Sequence, residues 1–342
     1  MLKIVGDINF SDGFFDIGFG IGTSIKNGAD PFTHIQRKKD DLWLGNLECV
    51  IANQSDKSGI YRKQFIISPI ALENIHHLDI YNVANNHVMQ HGDNAYKEIL
   101  KYIDSVGSKY IGSNDIKNIK IEHQGKKIGI MSFSQRYENF SDKPVYWYNP
   151  EYKDIELSFE SLNNTDFKIA YIHWGNEFIN RPYSDQKKTA HWLIDLGFDL
   201  IVGMHPHILQ GYEIYKKKYI FYSLGNFIFN MPLEATKYSI ILNVDISREI
   251  NVNYEYVKIG NDYFPNIIHE DLVPKKYKFK YLNNELKKEV ENEIYYSEVR
   301  KSISDYRKAN YKELLLFLYK FKFNDISAIF LDFIKRKFHY DL

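Results

Sequence analysis

Eight short runs rich in β-branched and aromatic residues recur along the chain: "KIVGDINF", "DLWLGNLE", "IYNVANN", "KIGIMSFS", "KIAYIHW", "DLIVGMHP", "YIFYSLGNF" and "SIILNVDIS". Helical patterns separate several of them. "DNAYKEILKYIDSVG" is expected to start with Asp93 as its cap and stop at Gly107, and "SDQKKTAHWLIDLG" to stop at Gly197. Such alternation restricts the chain to an α/β architecture, with stacked sheets and helices outside. Strands dominate later, so antiparallel pairs are expected to be added there. Beyond about residue 275 the pattern changes to long helices rich in Lys, Tyr and Phe. The expected organisation is therefore one α/β domain over residues 1–274 and a helical extension over 275–342 that packs on it by default, docking to a partner or a membrane surface being the alternative.

The residues that end these runs are unusually uniform. Asp7 and Asn9 close the first, Asn46 and Glu48 the second, Asn85, Asn86 and His87 the third, and His173 a later one; "LIVGMHPHIL" closes with His205 and His207. Ligands of α/β sheets collect outside the carboxyl ends of strands. Carboxylate, amide oxygen and neutral imidazole are donors for one or two divalent ions such as Mn, Fe, Zn or Mg. Strand alternation is expected to put His205 and His207 on the same side, with Pro206 stiffening the segment between them. Cys49 is the single cysteine, which excludes an intrachain disulfide and a thiolate cluster.

Other function classes lose ground on composition. The 44 basic and 44 acidic residues balance, so neither nucleic acid nor an anionic membrane is expected as the main partner. No apolar run approaches the roughly 18 residues of a membrane span. "MLKIVGDINF" reads as a strand from its third residue, leaving no room for a secretion signal. A soluble, cytoplasmic protein is expected.

Taken together and in order, "GDINF", "GNLE", "VANNH", "HWGNEF", "GMHPH" and "YSLGNF" resemble the CapA-type capsule and poly-γ-glutamate synthesis proteins, within the calcineurin-like metallophosphoesterase superfamily. The resemblance covers roughly residues 1 to 247. It implies a four-layer αββα sandwich with a metal centre at the strand ends. Asp7, Asn86, His173, His205 and His207 match metal ligands, whereas Asn9 stands where many relatives place a histidine. Asn46 aligns most directly with the bridging carboxylate and Glu48 is displaced by two residues; Glu48 is expected to bridge, because an anion better neutralises two cations. The sequence also departs from the pattern at Gln90, commonly aspartate, and at Met204, commonly another histidine. The expected division puts Asp7, Asn9, Glu48 and His207 around a weaker ion and Asn86, His173 and His205 around the other.

Two such ions would acidify water and clamp phosphate oxygens for in-line attack. His87 matches the histidine that faces the scissile phosphate and is expected to protonate the leaving oxygen, with Glu177 orienting a ligand or touching substrate. Asn46, Asn85 and Asn226 are expected at the substrate mouth. Arg136 and Arg181 are expected in loops near these strands, where they could receive an anion, with surface solvation the leading expectation for both. The resulting expectation is a divalent-metal-dependent phosphoester hydrolase linked to capsule or surface-polymer synthesis. It would act on an anionic small molecule or polymer, with capsule-assembly proteins as partners. A non-hydrolytic assembly component and an amidohydrolase of glutamyl polymers are the alternatives.

Overall fold

The computed structural model describes residues 1–14, 16–247 and 250–339. The first part of the chain forms β1 (Leu2–Ile8), α1 (Ile21–Lys26), β2 (Leu42–Leu47), a short pair β3 (Val50–Ile51) and β4 (Ile66–Ile67), β5 (Ile80–Asn82), α2 (Asp93–Ser105) and β6 (Lys109–Ile111). Next come β7 (Asn118–His123), β8 (Lys126–Ser134), α3 (Tyr152–Glu160), β9 (Phe167–His173), α4 (Ser184–Leu196), β10 (Leu200–Met204), β11 (Tyr212–Tyr215), β12 (Lys218–Phe221) and β13 (Asn226–Ile228). The remainder supplies β14 (Tyr238–Asp245), β15 (Asn251–Ile259), β16 (Pro265–Ile267), α5 (Phe279–Leu286), α6 (Asn292–Leu316) and α7 (Phe323–His339).

Two sheets account for most strands. One runs β16-β15-β14-β1-β2-β5-β6 with β13 also paired to β1, and the other runs β11-β12-β10-β9-β8-β7. Leu2, Ile4, Leu44 and Ile80 of the first meet Ile130, Ile169, Tyr171 and Val202 of the second in the core between them. Outside the first sheet, Ile21 and Ile25 of α1 and Ile99 and Ile103 of α2 cover Val5, Ile8 and Tyr81. Outside the second, Ile155 of α3 and Leu193 and Ile194 of α4 cover Ile172 and Ile201. These three apolar interfaces define the four-layer αββα sandwich.

Details differ from the sequence reading. Asp93 is the first helical residue, not the cap; Gly92, with φ 84°, occupies that place because the chain enters α2 from a left-handed turn. Gly107 (φ 75°) and Gly197 (φ 126°) do end their helices. Antiparallel pairing includes β14–β15–β16 and β11–β12, as expected for late strands, but also the earlier β7–β8 hairpin. In the extension, α5 sends Phe279 and Leu282 into the core between the sheets, while Tyr295 and Val299 of α6 pack on Ile179. Among the described residues no helix is long and apolar enough to cross a membrane.

One glycine joins fold to site. The Asp7 N–H donates to the Gly225 carbonyl at 3.2 Å, which brings β13 against β1. A Cβ on Gly6 would lie 1.8 Å from that same oxygen. Gly6→Ala should therefore destabilise the protein by at least about 1–3 kcal/mol, the usual scale of overpacking. A denaturant midpoint equal to the parent's would refute this close approach.

Candidate metal centre

Along each inner strand face the apolar side chains give way to polar ones near the carboxyl end, at the period of two that strands impose. Leu44 is followed by Asn46 and Glu48, Ile80 by Asn82, Ile130 by Ser132 and Ser134, and Ile169 by Tyr171 and His173. In β1 the register with β2 shifts between Ile4 and Asp7. Consequently Val5 and Ile8 both face the outer helices, and Asp7 turns inward. Parallel pairing levels the polar positions: Asn226, Asp7, Asn46 and Asn82 stand in one row, and Ser134, His173 and Met204 in the other.

The two rows meet in buried groups that offer donors to a cation. Glu48, His205 and His207 present ligand atoms within 4.8 Å of one another, and so do Asp7, Glu48 and His173. Glu48 belongs to both groups, and His207 Nδ1 also lies 3.5 Å from Asp7 Oδ2 and 3.7 Å from Glu48 Oε2. The Asn86 Oδ1 lies 3.3 Å from His173 Nε2. Both oxygens of Glu48 and both ring nitrogens of His205 are buried without a hydrogen-bond partner. Glu48 Oε1 approaches His173 Nδ1 at 3.2 Å, but without hydrogen-bonding geometry. Orphaned polar atoms at this depth are costly unless something binds them, and the donor types fit a divalent ion.

Electrostatics agree with that fit. Burial raises Asp7 to about 7 and lifts Glu48 well above the usual carboxylate range, Asp7 itself adding to the latter. Burial likewise lowers His207 to about 3 and drives His173 and His205 well below ordinary imidazole values. Dehydrated groups prefer their neutral forms, and only a nearby cation reverses the preference for the acids.

His205 and His207 reach the cluster by a route different from the one expected. β10 ends at Met204, and both histidines have positive φ, 95° and 59°. They therefore converge through a left-handed turn about Pro206 and not through strand alternation. His207 Nδ1 sits 2.9 Å from Asn226 Oδ1, so Asn226 orients a ring.

The other amides are tied into the scaffold. Asn46 donates to Asp7 Oδ1 at 2.8 Å and accepts from Asn82 and Asn85. Asn85 also donates to the Leu47 carbonyl and caps the turn that carries Asn86 and His87. Asn9 Oδ1 accepts from the Ser11 amide at 2.9 Å and from its hydroxyl at 2.6 Å. Asn82 was not singled out in the sequence, although it ends the run "IYN" on the same inward face as Ile80. Met204 packs in the core between the sheets, near Asn82.

At the half-buried rim, His87 Nδ1 is 2.8 Å from Gln90 Oε1 and the ring stacks on Phe65 at 4.7 Å. Burial lowers this imidazole to about 4. Glu177 is half-buried, and desolvation raises its pKa. Arg181 is not solvated: Glu285 and Glu298 hold it. Arg136 is half-buried too, with its Nε enclosed. A cavity of about 520 Å³ between α7 and residues 52–68 is lined by none of these groups.

A family model described as bacterial capsule synthesis protein PGA_cap matches residues 1–231. The chain belongs to this family. It is 32% identical over 176 residues to the capsule biosynthesis protein CapA of Bacillus anthracis, covering 48% of this chain and 43% of that one. It is 31% identical over 191 residues to the PGA biosynthesis protein CapA of Bacillus subtilis, covering 53% and 50%. The chain thus spans about half the length of the curated relatives it matches. Among solved structures, a 5'-nucleotidase from Candida albicans gives a TM-score of 0.49 at 14% identity, covering 90% of this chain and 58% of that one.

The raised acids have a thermodynamic signature. A carboxyl whose folded pKa exceeds its unfolded value costs nothing below the unfolded value, destabilises progressively as pH rises from there to the folded one, and adds no more above it. In metal-free protein, Glu48→Gln should therefore raise the melting temperature relative to the parent, by a margin that grows as pH rises above the ordinary carboxylate range. The same variant should lose the stabilisation that a divalent ion gives the parent. A chelator-treated variant less stable than the parent above that range would refute this account of Glu48.

Proposed function

We propose that the chain is a divalent-metal-dependent hydrolase, acting on phosphoesters in capsule or surface-polymer synthesis. The observation that carries the reading is the convergence of Asp7, Glu48, His173, His205 and His207 with orphaned buried atoms beside a histidine at the rim. Asp7, Glu48, Asn86 and the three histidines would hold the ion, and three imidazoles favour Mn, Fe or Zn over Mg. Bound there, the ion supplies Lewis acidity toward a phosphoryl oxygen and acidifies water.

The protein's own residues do the rest. Asn226 fixes the ring of His207, and Asn46 holds Asp7 in place. The Gln90 carbonyl favours a proton on His87 Nδ1, leaving Nε2 free for proton transfer with substrate. With its low pKa the resting ring is neutral, so it accepts a proton first and acts as an acid only after a substrate anion has favoured its imidazolium form. Glu177 borders the same rim.

A second reading, a non-hydrolytic component of polymer assembly, draws on the commitment of Asn9 to Ser11 and of the Asn46 oxygen to its neighbours. Those two positions then offer a second ion little, and one ion could serve binding alone. The names of the Bacillus relatives suit either reading.

Purified protein should contain a transition metal that His173→Ala combined with His205→Ala removes, and should hydrolyse bis(p-nitrophenyl) phosphate. His87→Asn should keep the metal while kcat falls by about 100- to 10,000-fold, the usual contribution of a positioned acid or base. Metal-loaded parent protein inactive on every phosphomonoester and phosphodiester tried would overturn the hydrolase reading in favour of the second.

A further inference from the structure

β8 does not end with a ligand. Its last residue, Ser134, stands in register with His173, and the next amide, that of Gln135, donates to the His173 carbonyl at 2.9 Å. The following residue is Arg136, so the chain delivers a guanidinium to the edge of the donor cluster. Its charge acts on Glu48, Glu177, His87, His173, His205 and His207.

The environment of Arg136 contrasts with that of Arg181. Glu285 and Glu298 neutralise Arg181, whereas no ion pair joins Arg136 to any carboxylate among the described residues. The Nε of each is buried with no acceptor, so what sets Arg136 apart is a charge left without a carboxylate partner. A guanidinium with an enclosed N–H and no carboxylate to pair with is an incomplete binding arrangement, because guanidinium donors match the paired oxygens of phosphate and carboxylate.

We propose that Arg136 is a substrate-binding residue, which receives an oxyanion of the substrate at the rim of the metal centre. The proposal rests on the metal-centre reading above but not on hydrolysis. Phosphate and carboxylate share the required chemistry, so the class of substrate is one that carries such an oxyanion beside its reacting bond.

The test uses the metal-loaded full chain, with inorganic phosphate and γ-glutamyl-glutamate as separate probes in isothermal titration. Arg136→Ala should keep the parent's metal content and weaken binding of at least one probe by about 10-fold or more, as loss of a charge-assisted hydrogen bond does. Arg136→Lys, which keeps the charge but loses the fork, should fall between the two and serves if the alanine variant does not fold. Arg181→Ala, where folded, should bind the probes like the parent. Dependence confined to phosphate would identify a phosphoester as substrate, and dependence confined to the dipeptide a glutamyl chain. Parent-like binding of both probes by Arg136→Ala, or failure of the parent to bind either, would overturn the proposal. A protein that binds through Arg136 yet turns over no phosphoester would leave the subsite standing and remove the hydrolase reading.

Discussion

Dehydration of Asp7, Glu48, His173, His205 and His207 is the constraint around which the molecule is arranged. Burial favours the neutral form of both carboxylates more than the Asn46 amide, the His205 N–H and the Arg136 charge favour the ionised one, and a bound cation would reverse that balance. The two sheets create that environment. Their shared apolar core excludes solvent up to the strand ends, and polar links fasten the sheets where the core gives out. The Tyr171 hydroxyl donates to the Val5 carbonyl at 2.6 Å, and the Ser132 hydroxyl to Asn82 Oδ1 at 2.6 Å. Asn46 and Asn82 then extend the network sideways along the first sheet. The cluster is consequently held by backbone register and by neutral amides, leaving both oxygens of Glu48 and both ring nitrogens of His205 uncommitted.

How much of this was legible depends on the physics behind each residue. The four layers follow from strand and helix periodicities, and those survive in sequence. Asp7, Glu48 and His173 stood out because inward polar residues at the end of an apolar run break the pattern. The turn that brings His205 and His207 together did not stand out, since positive φ at a histidine leaves no compositional trace. Asn82 drew no notice, since asparagine after a short apolar run is also common in turns. Arg136 and Arg181 looked alike, because their difference lies in distant carboxylates: Glu285 and Glu298, more than a hundred residues along the chain, take one and leave the other.

The helical extension begins after the region matched by the family model, which ends at residue 231, yet it borders the site. Tyr306 of α6 stacks on Phe178 at 4.1 Å between ring centroids, and Phe178 stacks on His207 at 6.0 Å. The boundary near Pro274 therefore marks a change in secondary structure and not the edge of the functional region. The donors lie within the stretch that the family model matches, while a segment outside it shapes one wall beside them.

The turn around Pro206 has a mechanical meaning as well as a chemical one. Two non-glycine residues with positive φ flank a proline whose own φ is fixed, and such backbone states carry on the order of 1–3 kcal/mol each. The Phe178 amide, donating to the Pro206 carbonyl at 2.9 Å, helps to restrain them. An ion gripped by both imidazoles would act as a rivet through this loaded spring, so that its departure frees the turn to relax and withdraws two donors together.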